Sequence, residues 1–501
     1  MAIAASIILF VFVYTGLMFL VIRLRPSSVI VAFLLPFPLF ICLESVILNV
    51  LSLFHAVNRS GVIWSHLFFV LGVWGYGLWH RRRLVLLVRK LCVRMKRCFV
   101  PVSSAYVLIV PLLLIISLTA FLYAPNTWDS MTYHMARVAH WMQQGSVDYY
   151  VTNIRRQNEM GPGAEYLILF FQAISGTDRL ANSVQWMSFL LIPFALYYLL
   201  RLLRINRQAH PWIILICMTT PMAVLQASST QNDLVDALLT LCIIIMVSRL
   251  VFGNITRMSR GEMALAALCI AAGFLVKPIS MIVALPFVLV GFIGQPLRIT
   301  KILLSVRGMS GVLVAVILFS LVCGPDIARK SREDVFSRPE VYPLLSEWDR
   351  TRLYNPVATM APNFPFPDVL ERIVQLGGLP IGLHNKNVFN VTEDFIGNPL
   401  QLFALIIPPL LALIILPLML IRKSSWKKKR VVLLTFLPVF SWCAFGWIIK
   451  NQAWLTRLQL PLFFLLPFSL AFLVSNQARV HTKKIFYFCW LDVLCFLMLI
   501  P

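Results

Sequence analysis

The sequence predicts an all-α polytopic membrane protein with about fourteen transmembrane helices and two long outer loops carrying interfacial helices. Three observations predict it. The 501 residues are 59% hydrophobic and 13% charged, with a mean hydropathy of +0.83, far above a soluble globular composition. Apolar runs recur along the whole length, each near the ~20 residues a helix needs to cross a ~30 Å hydrocarbon layer. The charges sort by loop: basic residues collect on one side of the predicted spans and acidic residues on the other. A disordered chain, a disulfide-stapled secreted domain and a soluble enzyme with a single anchor are excluded. Lys+Arg total 44 against 20 Asp+Glu, but no segment has the dense basic, polar composition of a nucleic-acid-binding domain, so no nucleic-acid partner is expected.

The predicted spans lie near 1–22, 29–54, 61–79, 103–124, 182–203, 211–226, 234–252, 262–276, 279–297, 308–324, 400–421, 431–449, 458–475 and 485–501. The runs at 211 and 262 are short, so these helices are expected to stop below the surface and leave a cavity. The first run lacks a basic leading region and a clear cleavage site and reads as a retained helix. Loops on one side hold 28 of the 44 basic residues, in clusters at 81–97, 201–207, 249–260, 298–307, 422–430 and 479–484 and at Arg23 and Arg25. That side is assigned to the cytoplasm, which puts both chain ends outside. Fifteen of the twenty acidic residues lie in loops 125–181 and 325–399, so the polar chemistry is expected outside. The organisation follows: 1–102, a three-span extension with a basic cytoplasmic loop; 103–324, a catalytic transmembrane core that includes the first outer loop; 325–399, the second outer loop; 400–501, a four-span module. The ten cysteines avoid the outer loops, which argues against disulfides and a thiolate metal site.

The first outer loop carries the strongest signal. PNTWDSMTYHMARVAHWMQQG offers Asn126 or Thr127 as a cap for a helix that Gly145 ends. At about 100° per residue, Met131, Met135, Val138 and Met142 share one face, and Asp129, Tyr133, Arg137 and His140 the opposite one. This reads as an interfacial amphipathic helix, with Asp129 at its junction with a span, where a carboxylate meets both a lipid-borne and a water-borne reactant. In RRQNEMGPGAEY, Glu159 precedes a Gly-Pro-Gly turn, and Pro162 suits the start of a new helix from about Ala164. Asp129 and Glu159 are expected to converge.

Other charges sit at span ends. SSTQNDLVDALL places Asp233 at a boundary and Asp236 one turn inside, where an ionised side chain costs roughly 2.5–3.5 kcal/mol and needs a partner. LVKPIS puts Lys277 between two spans, and KNQAWLTRLQLP puts Arg457 at an otherwise apolar outer edge. Such a pair makes a phosphate clamp, Arg supplying a bidentate fork and Lys a point charge. The second outer loop is Pro-rich, contains a short helix at DVLERIVQL, and ends at HNKNVFNVTEDFIGNPL, where Glu393 or Asp394 is expected to touch substrate.

The WDS and TYH triplets after a span, the GPG turn with its preceding Glu, LVKP, and RLQLPLFFLLP together resemble the GT-C superfamily of polytopic glycosyltransferases, nearest to protein mannosyltransferases and bacterial aminoarabinose transferases. The resemblance covers about 103–475. It implies transfer of a sugar from a polyprenyl-phosphate donor to a glycan, lipid or protein acceptor, in a bacterial inner membrane with its catalytic loops periplasmic. It implies Asp129 as the catalytic carboxylate, Glu159 as the second acid, and Lys277 and Arg457 on the lipid phosphate; from their own positions in this chain Tyr133, His134, Arg137, Asp233, Glu393 and Asp394 are expected around the substrate. The chain departs from the family in its three leading spans, in having no soluble domain after the core, and in showing Asp129-Ser130 where many relatives pair two acids. No metal or other cofactor is therefore expected to be required.

The residues suit that chemistry on their own terms. A carboxylate whose pKa partial burial raises takes the acceptor proton, and cations placed beforehand stabilise the departing phosphate. Direct displacement inverts the anomeric centre. Rival readings are a polysaccharide polymerase or ligase with a pyrophosphate-linked donor, a lipid-linked glycan transporter, and a non-catalytic assembly subunit. A transporter needs ionisable groups along a midplane path, and Glu44, Asp236 and Asp492 are scattered.

Overall fold

The structure, a computed structural model, describes residues 1–24, 28–80, 104–252, 259–294, 300, 304–335, 351–376, 391–392, 394–421, 432–471 and 473. Among these residues the chain is helical, and its β-type pairing amounts to one isolated bridge between Thr392 and Phe395. Six helical segments are long and apolar enough to cross a membrane: Ala2–Arg23, Val29–Ser52, Arg59–Trp79, Asp178–Leu202, Gly308–Arg332 and Pro399–Leu418. The chain is a helical membrane protein. Trp64, Phe68 and Leu71, like Leu313, Val316 and Ile317, leave large apolar side chains exposed. That costs nothing against lipid, which is as apolar as leucine.

Several expected spans differ from uninterrupted helices, and proline explains most of the differences. The run at 29–54 divides into Val29–Leu34 and Pro36–Ser52, and the run at 211–226 into His210–Met218 and Pro221–Gln226, each second piece opening on the proline. The run at 458–475 is broken more finely, into Leu455–Leu458, Leu460–Phe463 and Leu466–Ser469, the latter two with Pro461 and Pro467 in their first turns. Proline fits a first turn, where its missing N–H is not needed, and disrupts the interior. Conversely, Val306–Arg332 runs past the predicted end at 324 and carries Asp326, Arg329 and Lys330 on helix instead of loop. The helix expected at DVLERIVQL is present as Pro367–Leu376, and Thr351–Ala358 precedes it. The last predicted span and the basic clusters at 81–97, 422–430 and 479–484 lie outside the described residues.

Asp233–Phe252 is the central helix, packed against Ser183–Leu202, Arg260–Val276 and Ile279–Gly294. Leu234, Val235, Leu238, Leu241 and Ile244 on it are fully buried. The six described cysteines are free, and all but Cys443 are buried. Two close approaches decide where the polar residues end up. The Gly-Pro-Gly turn lies on the end of Arg260–Val276: a Cβ on Gly161 would collide with the carbonyl oxygens of Leu275 and Val276, and one on Gly163 would come within 2.7 Å of Val276 Cγ2. The turn is thereby pinned beside Lys277. Gly161→Ala is expected to cost about 1–3 kcal/mol, as overpacking does, seen as a lower melting temperature in detergent. An unchanged melt would show that the turn is not locked there.

Candidate functional site

Thr127, one of the two predicted caps, starts the first-loop helix: its Oγ1 accepts from Ser130 N at 3.2 Å. Ser130–His134 then form a π-helical turn that leads into Met135–Gln144, and Gly145 ends the helix in the left-handed region with φ of 67°. A π turn carries an extra residue and is frequent at functional sites. The helix does not lie on a surface with its polar face solvated, as its periodicity suggested. His140 and Met131 are exposed, but Asp129, Tyr133 and Arg137 are buried alongside Val138 and Trp141. The physical reason is that these polar groups find partners inside the protein.

Arg137 is buried against a neighbouring turn. Its Nε donates to Gln157 O, its Nη2 to Met160 O at 2.7 Å and its Nη1 to Gly161 O at 3.3 Å, with Glu165 3.6 Å away. It ties the helix to the Gly-Pro-Gly turn. His134 is likewise buried, with Nδ1 2.8 Å from Glu165 Oε1 and both side chains fully buried. The Tyr133 ring lies against His134, their centroids 3.8 Å apart, and Arg156 covers that ring at 5.3 Å.

Asp129, Asp233, Lys277, Asp394 and Arg457 converge. Arg457, buried in the Leu455–Leu458 turn, holds three carboxylates: Nη2 is 2.7 Å from Asp129 Oδ2, Nη1 pairs with Asp394 Oδ1, and Nε is 3.9 Å from Asp233 Oδ2. Lys277 Nζ is 2.5 Å from Asp233 Oδ1. Asp233 is the first residue of its helix and Lys277 follows the last residue of Arg260–Val276, the ends at which the helix dipole favours a carboxylate and a cation respectively. Asp236 is buried one turn farther along the same helix as Asp233. Glu393 lies outside the described residues.

Several features were not read from the sequence. From the turn that holds Glu159, it is Arg156 that reaches Asp129, Nη1 donating to Oδ1 at 2.9 Å, while Glu159 is buried on that turn. Glu165 is an acid that engages the first-loop helix, through His134 and Arg137. A carboxylate in the first turn of an otherwise apolar helix was the signal for it. Gln231 bridges Arg457 at 3.0 Å and Asp394 at 3.2 Å, and Ser130 accepts from Thr230 at 2.6 Å, joining two polar turns. Finally, a buried amide network seats Arg457 and Asp394. Asn363 Nδ2 donates to Gln459 Oε1 at 2.6 Å, Asn398 Nδ2 to Asn363 Oδ1 at 2.9 Å, and Gln459 Nε2 to Thr359 O at 2.7 Å. Gln185 Oε1 also caps the central helix by accepting from Leu234 N at 2.9 Å.

The electrostatics correct one expectation. Burial pushes the Asp129 carboxyl up, but Arg457, His134 and Arg156 together outweigh it and hold the group below its ordinary value of 3.8. In this arrangement Asp129 is a weaker base than the sequence reading required. Burial and nearby Asp129 push the Tyr133 phenol well above its usual range, so Tyr133 stays a neutral hydroxyl. Burial disfavours the Arg457 cation, yet Asp233, Asp129 and Asp394 keep it charged throughout. The hollow described, with room for about one water molecule, lies behind Arg137 and is lined by Trp141, Tyr166, Asp326 and Arg329 among others. Among the described residues, no three His, Cys, Asp or Glu side chains are grouped as metal ligands.

Lys277→Ala would leave buried Asp233 with only the distant edge of Arg457. Hydrogen bonds to charged groups contribute about 1.5–3 kcal/mol, so if Lys277 also meets a donor phosphate, affinity is expected to fall by roughly tenfold to a hundredfold. Equilibrium binding of a polyprenyl-phosphate sugar in nanodiscs measures this, and unchanged affinity would remove Lys277 from the clamp. No protein-family model, no characterised protein and no solved structure significantly matches the chain.

Proposed function

We propose that the protein is a membrane glycosyltransferase of GT-C type that moves a sugar from a polyprenyl-phosphate donor to a hydroxyl or amine of a glycan, lipid or protein acceptor. The observation that carries this reading is the meeting of Asp129 with Arg457, Lys277 and Arg156 in one buried polar cluster at the ends of apolar helices. A lipid-linked donor needs such a place, its chain in the bilayer and its phosphate at the edge. By the charge bias of the loops, that edge is the extracytoplasmic side, and the resemblance makes the membrane a bacterial inner membrane.

The ion pairs define a resting state. Arg457 holds Asp129 and thereby lowers its basicity. A donor phosphate competes for the same guanidinium, which forms bidentate pairs with phosphate as well as with carboxylate. As Arg457 and Lys277 turn to the phosphate, the Asp129 carboxylate is released and its basicity rises. Asp129 then takes the acceptor proton, the acceptor oxygen or nitrogen bonds to the anomeric carbon, and the bond from that carbon to phosphate oxygen breaks. Charge builds on the leaving phosphate where fixed cations stabilise it most. The anomeric centre inverts. Because three cations face three carboxylates (Asp129, Asp233 and Asp394), the cluster is close to neutral. It suits the single charge of a phosphodiester better than the two of a pyrophosphate, which favours this donor over that of a polymerase or ligase.

Purified protein in nanodiscs is expected to release polyprenyl phosphate from at least one labelled polyprenyl-phosphate sugar when given a lipid or glycan extract as acceptor. Consumption of pyrophosphate-linked donors alone would replace this reading with a polymerase or ligase. Consumption of neither, with altered glycan export in cells lacking the gene, would replace it with transport.

A further inference from the structure

We propose that His134, oriented by Glu165, is a proton-relay residue that draws the acceptor's proton on from Asp129. The inference rests on the glycosyl-transfer reading above and extends it to where the proton goes. Three observations carry it. His134 closes the π-helical turn that Asp129 opens, so the two are one wide turn apart on the same short element. Its Nδ1 is fixed 2.8 Å from Glu165 Oε1, with both side chains fully buried, and its Nε2 is buried without a hydrogen-bond partner. A carboxylate behind one ring nitrogen sets the tautomer, which leaves the other as a bare acceptor.

The arrangement answers a difficulty in the mechanism. With Arg457 and Arg156 beside it, Asp129 is a poor final holder of a proton near neutrality, and Arg457 returns to it once the lipid phosphate leaves. An imidazole holds a proton better in that range. The balance is simple. The acceptor's O–H or N–H proton moves to Asp129 as the new glycosidic bond forms and the bond from the anomeric carbon to phosphate oxygen breaks. It then passes to His134 Nε2, where the negative charge of Glu165 offsets the imidazolium, and Asp129 is again free to pair with Arg457. Glu165 on its helix, Arg137 on the first-loop helix, Tyr133 stacked on the ring, and Arg156 and Glu159 on the neighbouring turn are the titratable and charged groups around His134. Arg137 is committed to backbone carbonyls and Glu165, and Arg156 to Asp129.

The test compares wild type, His134→Asn and Glu165→Gln in nanodiscs, with kcat, donor KM and the pH profile of kcat measured alongside thermal unfolding. The proposal expects a fall in kcat of about 100-fold for His134→Asn and about tenfold for Glu165→Gln, donor KM unchanged, and loss or displacement of the acidic limb of the profile in both. Should His134→Asn fail to fold, Glu165→Gln, which keeps a neutral acceptor for Nδ1–H, carries the test through its pH profile. Wild-type kcat and an unmoved profile in a folded variant overturn the relay while leaving glycosyl transfer intact. An inactive wild type overturns the parent reading, and the relay with it.

Discussion

Asp129→Asn is expected to lower sugar transfer by about 100- to 10,000-fold, the span over which a positioned general base acts, while the protein still inserts and folds. Asparagine keeps the size and a carbonyl acceptor for Arg156, whose Nη1 now donates to Asp129 Oδ1 at 2.9 Å. What it removes is the basic oxygen and the charge that holds Arg457 at 2.7 Å. The resting-state mechanism adds a signature that simple damage would not give. Since the carboxylate and the donor phosphate compete for one guanidinium, the variant is expected to bind donor at least as tightly as wild type while kcat collapses. Initial rates with a labelled polyprenyl-phosphate sugar, together with donor binding, separate the two terms. Wild-type turnover in the variant would take Asp129 out of the mechanism, and a parallel loss of donor binding and of the folded state would assign it a structural role instead.

The second large effect is at Arg457. Arg457→Ala leaves Asp129, Asp233 and Asp394 facing one another without their shared cation, and Asp129 and Asp233 are both 2% exposed. Removing one partner of a buried ion pair costs about 3–5 kcal/mol, so a large drop in melting temperature is expected together with loss of donor binding. Arg457→Lys restores the charge but not the fork. One ammonium cannot reproduce the planar guanidinium that reaches Asp129 through Nη2 and Asp394 and Gln231 through Nη1. It is expected to recover much of the stability and little of the donor affinity. Thermal unfolding in detergent and equilibrium donor binding measure the two effects. Full donor affinity in the lysine variant would show that the guanidinium serves the fold and not the phosphate.

Asp129, Lys277 and Arg457 were legible in the chain because each is costly where it stands: an ion at the edge of an apolar run is kept only if something meets it. That argument finds charges that need partners, but it does not say which partners. It picked out Glu159 because Glu159 adjoins the Gly-Pro-Gly turn, and it did not single out Glu165 or Arg156. It placed Tyr133, Arg137 and Asp129 on one face of an interfacial helix, because periodicity reports which residues share a side and not what lies against that side. The π turn at Ser130–His134 has no sequence signature of its own.

The sequence by itself determined that this is a helical membrane protein, where many of its helices begin and end, and that its charges stand at helix ends, since hydropathy, proline placement and charge bias are properties of neighbouring residues. Only the tertiary structure decided that Arg457 gathers Asp129, Asp233 and Asp394, and that Glu165 stands behind His134. Those pairings depend on distance, and distance is set by how the helices pack: Arg457 and Gln231, 226 residues apart in the chain, meet at 3.0 Å.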